Sequence, residues 1–484
     1  MSKDTTVILP DYPLGLLEAA LRDLGFNRFV QTRNWEPAEL SGLQVTVPSL
    51  VAPTDGPIGD SGLIVYDGEV RVFDQNDSRP IEMERLASLG GFDAHFLQFS
   101  GAIWYPFVYQ FPQAMSEALG RKKRANEMAR ASRYIREVDA DWVVPSAGPP
   151  CFLDEDLFQF NDFDRDPANT FPDQMAFLDH LREQGTTNGL LMIPGSQITL
   201  QAGDCSVEHP LPEPQVRSIF SNKRAYLTEY QTSMRPVIEA AKASWPRGEV
   251  DLVSSLKEWF EPLIEKADIT CAGVNGVVVL DCGETGVAID FGRRRVEPWQ
   301  GQEWDYYFKF DRRLIEYCVV NHLEDWVNEL FLSCRFEAQR KGPFNEYVYN
   351  FFKCLSMERL QYAEGYYAEK APIDQFWESN GYRIQRRCPH LKADLSRFAE
   401  IENGVLTCTL HGWQFELATG RCLTSDDRRL YAEELGSLAA TRPPEEHVGA
   451  TVRNQCGHCS YKPTGSEGGV PAASEGGVPV SEKA

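Results

Sequence analysis

The stretches Arg387-Cys388-Pro389-His390-Leu391 and Cys408-Thr409-Leu410-His411-Gly412-Trp413 form two halves of one motif. Each half supplies one thiolate and one imidazole, first as Cys-x-His and then as Cys-x2-His, with 17 residues between His390 and Cys408. Thiolates and neutral imidazoles are the side chains that bind transition metals most readily. The motif therefore predicts one metal centre whose ligands are Cys388, His390, Cys408 and His411.

The order of the ligands favours one kind of centre over its competitors. The ligands of structural zinc usually come as a pair of cysteines, C-x2–4-C, and a pair of histidines, H-x3–5-H. Each loop here instead contains one cysteine and one histidine. In a Rieske 2Fe–2S centre, two thiolates hold one iron and two imidazoles hold the other. Four unrelated buried residues would leave the flanking Pro389, Gly412 and Trp413 unexplained. We predict a 2Fe–2S cluster, with zinc as the alternative.

Length and charge limit the remaining possibilities. A chain of 484 residues is long enough for two or three domains, each with its own core. The formal net charge of −23 argues against binding to nucleic acid or to an anionic membrane, since both need basic surface. No apolar run approaches the roughly 20 residues that span a bilayer, and the start lacks an apolar signal segment. With twelve cysteines that suggest reduced thiols, we expect a cytoplasmic location.

The pattern of the chain predicts a multidomain α+β protein. Residues 1–205 alternate strands and helices, including a hairpin turned at Asp67-Gly68, a basic helix over 113–137 and strands at 142–145 and 190–193. Residues 206–371 are predicted to be mainly helical, with one β interlude at 276–290 and a helical run over 314–336. Residues 372–445 form a small all-β module around the motif. Residues 446–484, which end in two Ser-Glu-Gly-Gly-Val-Pro copies, are predicted to be disordered.

The module around the motif resembles ferredoxin- and oxygenase-type Rieske domains. Rieske proteins of respiratory complexes carry an extra cysteine in each loop, and this chain has Ala393 and Leu410 there. Those proteins also place hydroxyl side chains where this chain has Trp413 and Phe415. Fewer hydrogen bonds to the sulfurs leave the reduced cluster less stabilised. The resemblance therefore implies a low-potential cluster without a disulfide clasp.

The preceding residues resemble the CMP-N-acetylneuraminate hydroxylase family, which joins a Rieske domain to a metallo-β-lactamase-like domain. The resemblance is carried by residues 62–80, 101–106, 142–148, 326–331 and 334–336, and it spans most of residues 1–370. It implies that residues 1–205 are a partial lactamase-like α/β domain. The domain order differs from that of the family, because the Rieske module here follows the other regions.

That family is thought to hydroxylate its substrate at a metal in the lactamase-like domain, which receives electrons from the cluster. Most ligands of the lactamase-like metal come from an H-x-H-x-D-H motif, but no histidine occurs in the first 90 residues here. Either the chain begins after the place of that motif, or the site is degenerate. The resemblance matches Asp77 to a later metal ligand, with Asn76 as its rival, for a second iron or zinc.

Two functions remain open. The first is a Rieske-dependent monooxygenase or hydroxylase, or a component of one, acting on an unidentified small molecule. The second is a non-catalytic electron-transfer or binding protein with a degenerate lactamase-like domain. Both require a redox partner such as a reductase, a ferredoxin or a cytochrome, and no catalytic residue is identified. Hydrolysis is disfavoured, since it needs no redox cluster and the water-activating histidines are missing.

The residues around the motif predict a midpoint potential below about 0 mV, in the lower part of the Rieske range. A redox titration of the full chain, followed by the electron paramagnetic resonance signal of the reduced cluster, measures it. A midpoint well above zero would contradict the oxygenase-type assignment.

Overall fold

The computed structural model describes most of the chain up to residue 435. The described ranges are 2–49, 59–80, 82–101, 103–201, 203–248, 250–342, 344–369, 376–389, 395–396, 399–408, 413–423 and 429–435. The predicted tail, 446–484, lies outside them, as do His390, Ala393, Leu410 and His411. Residues Met1–Gly436 form one compact unit. Among the described residues, no helix has the length and apolar character needed to cross a membrane.

The N-terminal region is built on a mixed six-stranded sheet in sequential order. Its elements are β1 (Val7–Pro10), α1 (Leu16–Asp23), β2 (Phe29–Thr32), β3 (Pro37–Leu40), β4 (Leu43–Thr46), β5 (Leu63–Tyr66), β6 (Arg71–Asn76), α2 (Met83–Ser88), β7 (Ala94–Gln98), α3 (Gln113–Val138), β8 (Trp142–Ser146), α4 (Gln174–Glu183), β9 (Gln197–Gln201) and β10 (Asp204–Glu208). Strands β3 to β6 pair antiparallel, and β6, β7 and β8 pair parallel. Strands β1–β2 and β9–β10 form separate two-stranded sheets.

The hairpin between β5 and β6 follows directly from Asp67-Gly68. The Asp67 carboxylate accepts hydrogen bonds from the backbone N–H groups of Glu69 (2.9 Å) and Val70 (2.8 Å), and Gly68 has a φ of 103°. Glycine adopts this backbone region without steric cost. The predicted hairpin is confirmed, as is the basic helix, which is α3.

The middle region contains a five-stranded sheet with helices packed against it. Its elements are α5 (Glu213–Ser221), α6 (Lys223–Ala243), α7 (Leu252–Lys266), α8 (Asp268–Val274), β11 (Val277–Asp281), β12 (Gly286–Asp290), β13 (Arg295–Pro298), β14 (Tyr306–Phe310), α9 (Arg312–Val320), α10 (Trp326–Glu329), β15 (Phe336–Arg340), α11 (Glu346–Lys353) and α12 (Met357–Glu369). The strand order is β13-β12-β11-β14-β15, and the buried core beneath it is rich in aromatic side chains.

Three expectations for these regions are wrong in detail. The middle region has a five-stranded sheet rather than one β interlude, because β13, β14 and β15 join the predicted hairpin, and β14 buries every second side chain as a strand does. The predicted helical run over 314–336 breaks at His322, whose φ of 48° ends the helix, and it finishes in β15. Residues 190–193 form no strand; only Gly189 bridges β8, and Pro194-Gly195 turn the chain away.

One extended segment of the N-terminal region pairs with the middle sheet. Gln110 N–H donates to the Ala338 carbonyl (3.0 Å), and Ala338 N–H donates to the Val108 carbonyl (2.7 Å). Residues 108–110 therefore extend the sheet beyond its edge strand β15. This pairing brings the aromatic residues of 104–111 next to the end of β15.

The C-terminal module is a small all-β unit, as predicted. Its strands are β16 (Phe376–Ser379), β17 (Tyr382–Gln385), β18 (Ala399–Glu402), β19 (Val405–Cys408), β20 (Gln414–Glu416) and β21 (Ala432–Glu434). They form two three-stranded sheets, β16-β17-β21 and β18-β19-β20. One apolar core lies within the module and includes Leu406, Phe415 and Leu430.

Candidate iron–sulfur site and adjoining cavity

Cys388 lies on the loop that follows β17. Backbone contacts hold this loop in place: Leu395 N–H donates to the Arg386 carbonyl (2.7 Å), and the Gln385 side chain donates to the Arg387 carbonyl (2.5 Å). The side chain of Cys388 is fully buried. The loop thus presents its thiol to the interior of the module.

Cys408 is the last residue of β19. Its N–H donates to the Trp413 carbonyl (2.8 Å), which closes the loop carrying residues 409–412. Phe415 pairs with Leu406 across the sheet, and its phenyl ring is fully buried. Cys408 is also fully buried.

The two thiols fit an iron–sulfur cluster. Cys388 and Cys408 belong to the same buried apolar core, although they are 20 positions apart in the chain. Buried thiols in a shared, water-excluded core match the ligand chemistry of a cluster, which binds thiolates and is sensitive to solvent. His390 and His411 lie outside the described residues, so the sequence alone carries their assignment.

Ion pairs connect the Cys388 loop to the middle region. The Arg386 guanidinium contacts one carboxylate oxygen of Asp268 at 2.9 Å, and the Arg294 guanidinium contacts the other at 2.6 Å. Asp268 is the first residue of α8, where the helix dipole favours a carboxylate. The loop is therefore anchored on the start of α8.

A buried carboxylate lies beside this anchor. Glu364 of α12 is fully buried and accepts hydrogen bonds from the N–H groups of Ile269 and Thr270 (both 2.8 Å) and from the Thr270 hydroxyl (2.7 Å). Burial raises the pKa of Glu364, while these hydrogen bonds and the charge of Arg387 act in the opposite direction. Arg387 directly precedes Cys388, so α12 is electrostatically coupled to the loop.

A cavity of about 670 Å³ lies between the N-terminal and middle regions, and we call it the central cavity. This volume is in the range of small-molecule sites. The N-terminal part of its lining includes Asp77, Arg79, Ile103, Tyr105, Tyr109 and Lys123. The middle region contributes Val327, Leu332, Arg340, Phe344, Tyr349 and Asn350 among others.

Helix α12 contacts the wall of this cavity as well as α8, which anchors the Cys388 loop. The hydroxyl of Tyr367, which is buried, accepts a hydrogen bond from Asn350 and lies 3.4 Å from the Glu346 carboxylate. Both of those residues line the central cavity. Tyr367 and Glu364 are three residues apart, roughly 4.5 Å along the helix axis.

Asp77 is brought to the cavity by an irregularity in the sheet. The β6–β7 register shifts between Asp74 and Asn76, and Asn76 has a φ of 40°. Asp77 follows this bulge, is exposed, and lines the central cavity, while the side chain of Asn76 bonds the Asp77 N–H. The structure therefore places Asp77 in the lining of the central cavity. The side chain of Asn76 stabilises the turn before it.

The described residues do not fit a second metal at this place. Among them, no three His, Cys, Asp or Glu side chains form a group that could hold a metal ion. The four described histidines have structural partners: Gln75 for His95, Gln184 for His180, Ser196 for His209 and the ring of Trp259 for His322. Burial lowers the pKa of His95 to about 3, so it is a neutral core residue.

The comparisons with known proteins agree with the site. A family model described as the Rieske [2Fe-2S] domain matches residues 372–432, and one described as the Rv3818-like, SCP2-like domain matches residues 252–369. Rv3818 of Mycobacterium tuberculosis, whose name places it among Rieske 2Fe-2S iron-sulfur proteins, is 46% identical over 439 residues. The match covers 89% of this chain and 85% of Rv3818.

Two solved structures match part of the chain. CmlA, a diiron β-hydroxylase from Streptomyces venezuelae, is 21% identical over 36% of this chain and 35% of its own, with a TM-score of 0.24. Igni18, a metallo hydrolase from Ignicoccus hospitalis, is 16% identical over 40% of this chain and 66% of its own, also with a TM-score of 0.24. At these scores, neither structure supports a statement about activity.

The C-terminal module and its family match define a Rieske iron–sulfur protein, whose cofactor is a 2Fe–2S cluster. More specifically, the chain belongs to the family of Rieske 2Fe-2S iron-sulfur proteins that includes Rv3818.

Several functional candidates were missed from the sequence. Glu364 and Arg340 gave no signal, because each is one of several charged residues in its element and belongs to no motif. Arg386 and Arg387 could have been found, since two cations directly before a cluster-binding loop are available to interact with another region.

We predict that Cys388→Ala and Cys408→Ala each abolish cluster binding, because each removes one of the two thiolates. Cys422→Ala is the matched control: Cys422 is a buried thiol of the same core but lies outside the motif. Iron and sulfide content per chain, with the visible absorption spectrum, measures the outcome. A Cys388→Ala protein that keeps a full cluster would show that the assignment is wrong.

Proposed function

We propose that this protein is an oxidoreductase that exchanges single electrons between a redox partner and a small molecule held in the central cavity. When bound, the 2Fe–2S cluster supplies one-electron redox chemistry and has no open coordination position for a substrate. A separate binding place for the substrate is therefore needed, and the central cavity is our candidate.

The observation that carries this proposal is the double contact of α12. Through Glu364 the helix meets the N–H groups of α8 and the charge of Arg387, next to Cys388. Through Tyr367 it meets Asn350 and Glu346 in the cavity wall. Helix α12 thus connects the candidate substrate site with α8, on which the Arg386–Asp268 ion pair holds the predicted ligand loop.

The protein residues have distinct proposed roles. Cys388, His390, Cys408 and His411 hold the cluster, and the apolar core around the two thiols excludes water. Arg386 fixes the Cys388 loop on Asp268. The rings and charges of the central cavity orient the bound molecule. The redox partner belongs to the class of reductases, ferredoxins or cytochromes.

Hydroxylation is the finer form of this proposal, and it comes from the resemblance to the CMP-N-acetylneuraminate hydroxylase family. It needs an oxygen-activating metal in the lactamase-like region, with Asp77 as one ligand. Because the described residues do not supply the rest of such a ligand set, we derive no hydroxylation step.

The second candidate is an electron-transfer or binding protein without catalysis. This candidate is favoured because a metal at Asp77 would need further ligands, and each of the four described histidines already has a structural partner.

Metal analysis of the purified full chain tests the proposal and separates its two forms. We expect two irons and two sulfides per chain, with a cluster that is reduced and reoxidised reversibly. A further iron or zinc that is lost in Asp77→Ala, with the two cluster irons retained, would favour the hydroxylase. Two irons alone would favour electron exchange without oxygen activation. A chain without a reversible cluster would contradict the redox function altogether.

A further inference from the structure

Arg340 occupies an unusual place in the central cavity. It is the last residue of β15, it is half-buried, and its guanidinium carbon lies 5.3 Å from the ring centres of Tyr105 and Tyr109 and 5.9 Å from that of Phe344. Tyr105 and Tyr109 belong to the N-terminal region, and Phe344 belongs to the middle region. The bridge between Tyr109 and Ala338 of β15 brings the two regions together here. Cation–π contacts of this kind hold a guanidinium in position.

The charge of Arg340 has no carboxylate partner among the described residues. Other cations nearby are neutralised: Lys123, also in the cavity lining, contacts Glu127 at 2.8 Å, and the neighbouring Lys341 pairs with Glu303. A guanidinium presents five N–H donors in one plane, suited to two oxygens of a carboxylate or phosphate. The hydroxyls of Tyr109 and Tyr306 lie within hydrogen-bonding reach of this guanidinium, but neither brings the negative charge of an oxyanion.

Two phenol groups add donors beside Arg340. The hydroxyls of Tyr109 and Tyr349 hydrogen-bond each other, and both side chains are more than nine-tenths buried. Burial raises the pKa of Tyr109 to about 12 and that of Tyr349 well above its usual value, so both phenols keep their protons. The pair has two protons, and its mutual bond uses one of them. The second proton can be donated to an acceptor.

One part of the lining suits an apolar body of modest size. Ile103, Val327 and Leu332 contribute aliphatic surface to the same cavity of about 670 Å³. A half-buried cation without a carboxylate partner, next to an aliphatic surface, selects molecules that combine an anionic group with a ring or short chain.

We propose that the central cavity binds a small ring-bearing oxyanion, whose carboxylate or phosphate pairs with Arg340 and whose ring packs on the aliphatic wall. This inference names the substrate class of the proposed function and rests on it only in that respect. Binding is measured without any electron transfer, so failure of the binding test and failure of the redox function are distinguishable.

The test uses the purified full chain and four probes in titration calorimetry at low salt. Benzoate and phenyl phosphate carry a ring and an anion, benzamide is the neutral analogue of benzoate, and inorganic phosphate has no ring. We expect benzoate or phenyl phosphate to bind at least about tenfold more tightly than benzamide and inorganic phosphate. Whichever of benzoate and phenyl phosphate binds more tightly shows whether the cavity prefers a carboxylate or a phosphate.

Arg340→Gln should weaken binding of the better anion roughly 10- to 100-fold, the usual value of a charged hydrogen bond. Arg295→Gln is the matched control, since Arg295 is exposed on the opposite edge strand of the same sheet, and it should bind as the wild type does. Equal binding of benzoate and benzamide, no binding of either anion, or equal losses in both variants would overturn the proposal. The comparison of probes on the wild type decides the matter even if Arg340→Gln does not fold.

Discussion

The arrangement of the middle region and the Cys388 loop depends on one buried carboxylate. Glu364 lies in a place without solvent, where a charge is tolerated only if it is hydrogen-bonded and paired. The first N–H groups of α8 and the Thr270 hydroxyl provide the hydrogen bonds, and Arg387 provides the opposing charge. Removing this side chain would leave two backbone donors unsatisfied, at roughly 1–3 kcal/mol each. Glu364 therefore joins α8 to α12, and Asp268 anchors the loop before Cys388 on the same helix α8.

Much of the fold could be predicted because local patterns determine it. The Asp67-Gly68 turn, the long helix α3 and the small all-β module each follow from turn chemistry, helical spacing or motif spacing. The middle sheet could not be predicted in the same way. Its strand Tyr306–Phe310 is aromatic at nearly every position, so the alternation of burial becomes visible only when the neighbouring strands are in place. The helix break at His322 likewise depends on a local backbone conformation that spacing does not reveal.

The candidate site, like the fold, was only partly predictable from the sequence. The motif predicted both thiols, and the structure buries Cys388 and Cys408 in one core. The resemblance drew attention to Asp77, which lies at the central cavity, but the first 90 residues contain no histidine that could complete a metal site, and the four described histidines have other partners. The cavity itself was not predictable, because its walls come from regions more than 200 residues apart, as the contact between Tyr109 and Tyr349 illustrates. Tertiary pairing of the segment 104–111 with β15 creates it.

The central claim is that α8 and α12 link the cluster loop to the cavity wall. Backbone hydrogen exchange of the full chain, compared between its oxidised and reduced forms, tests this link most directly. The account predicts that adding one electron changes exchange at Ile269 and Thr270, whose N–H groups bind Glu364, and along α12 up to Tyr367. Strands β5 and β6 of the N-terminal sheet should not change. Changes confined to residues 376–435 would contradict the account.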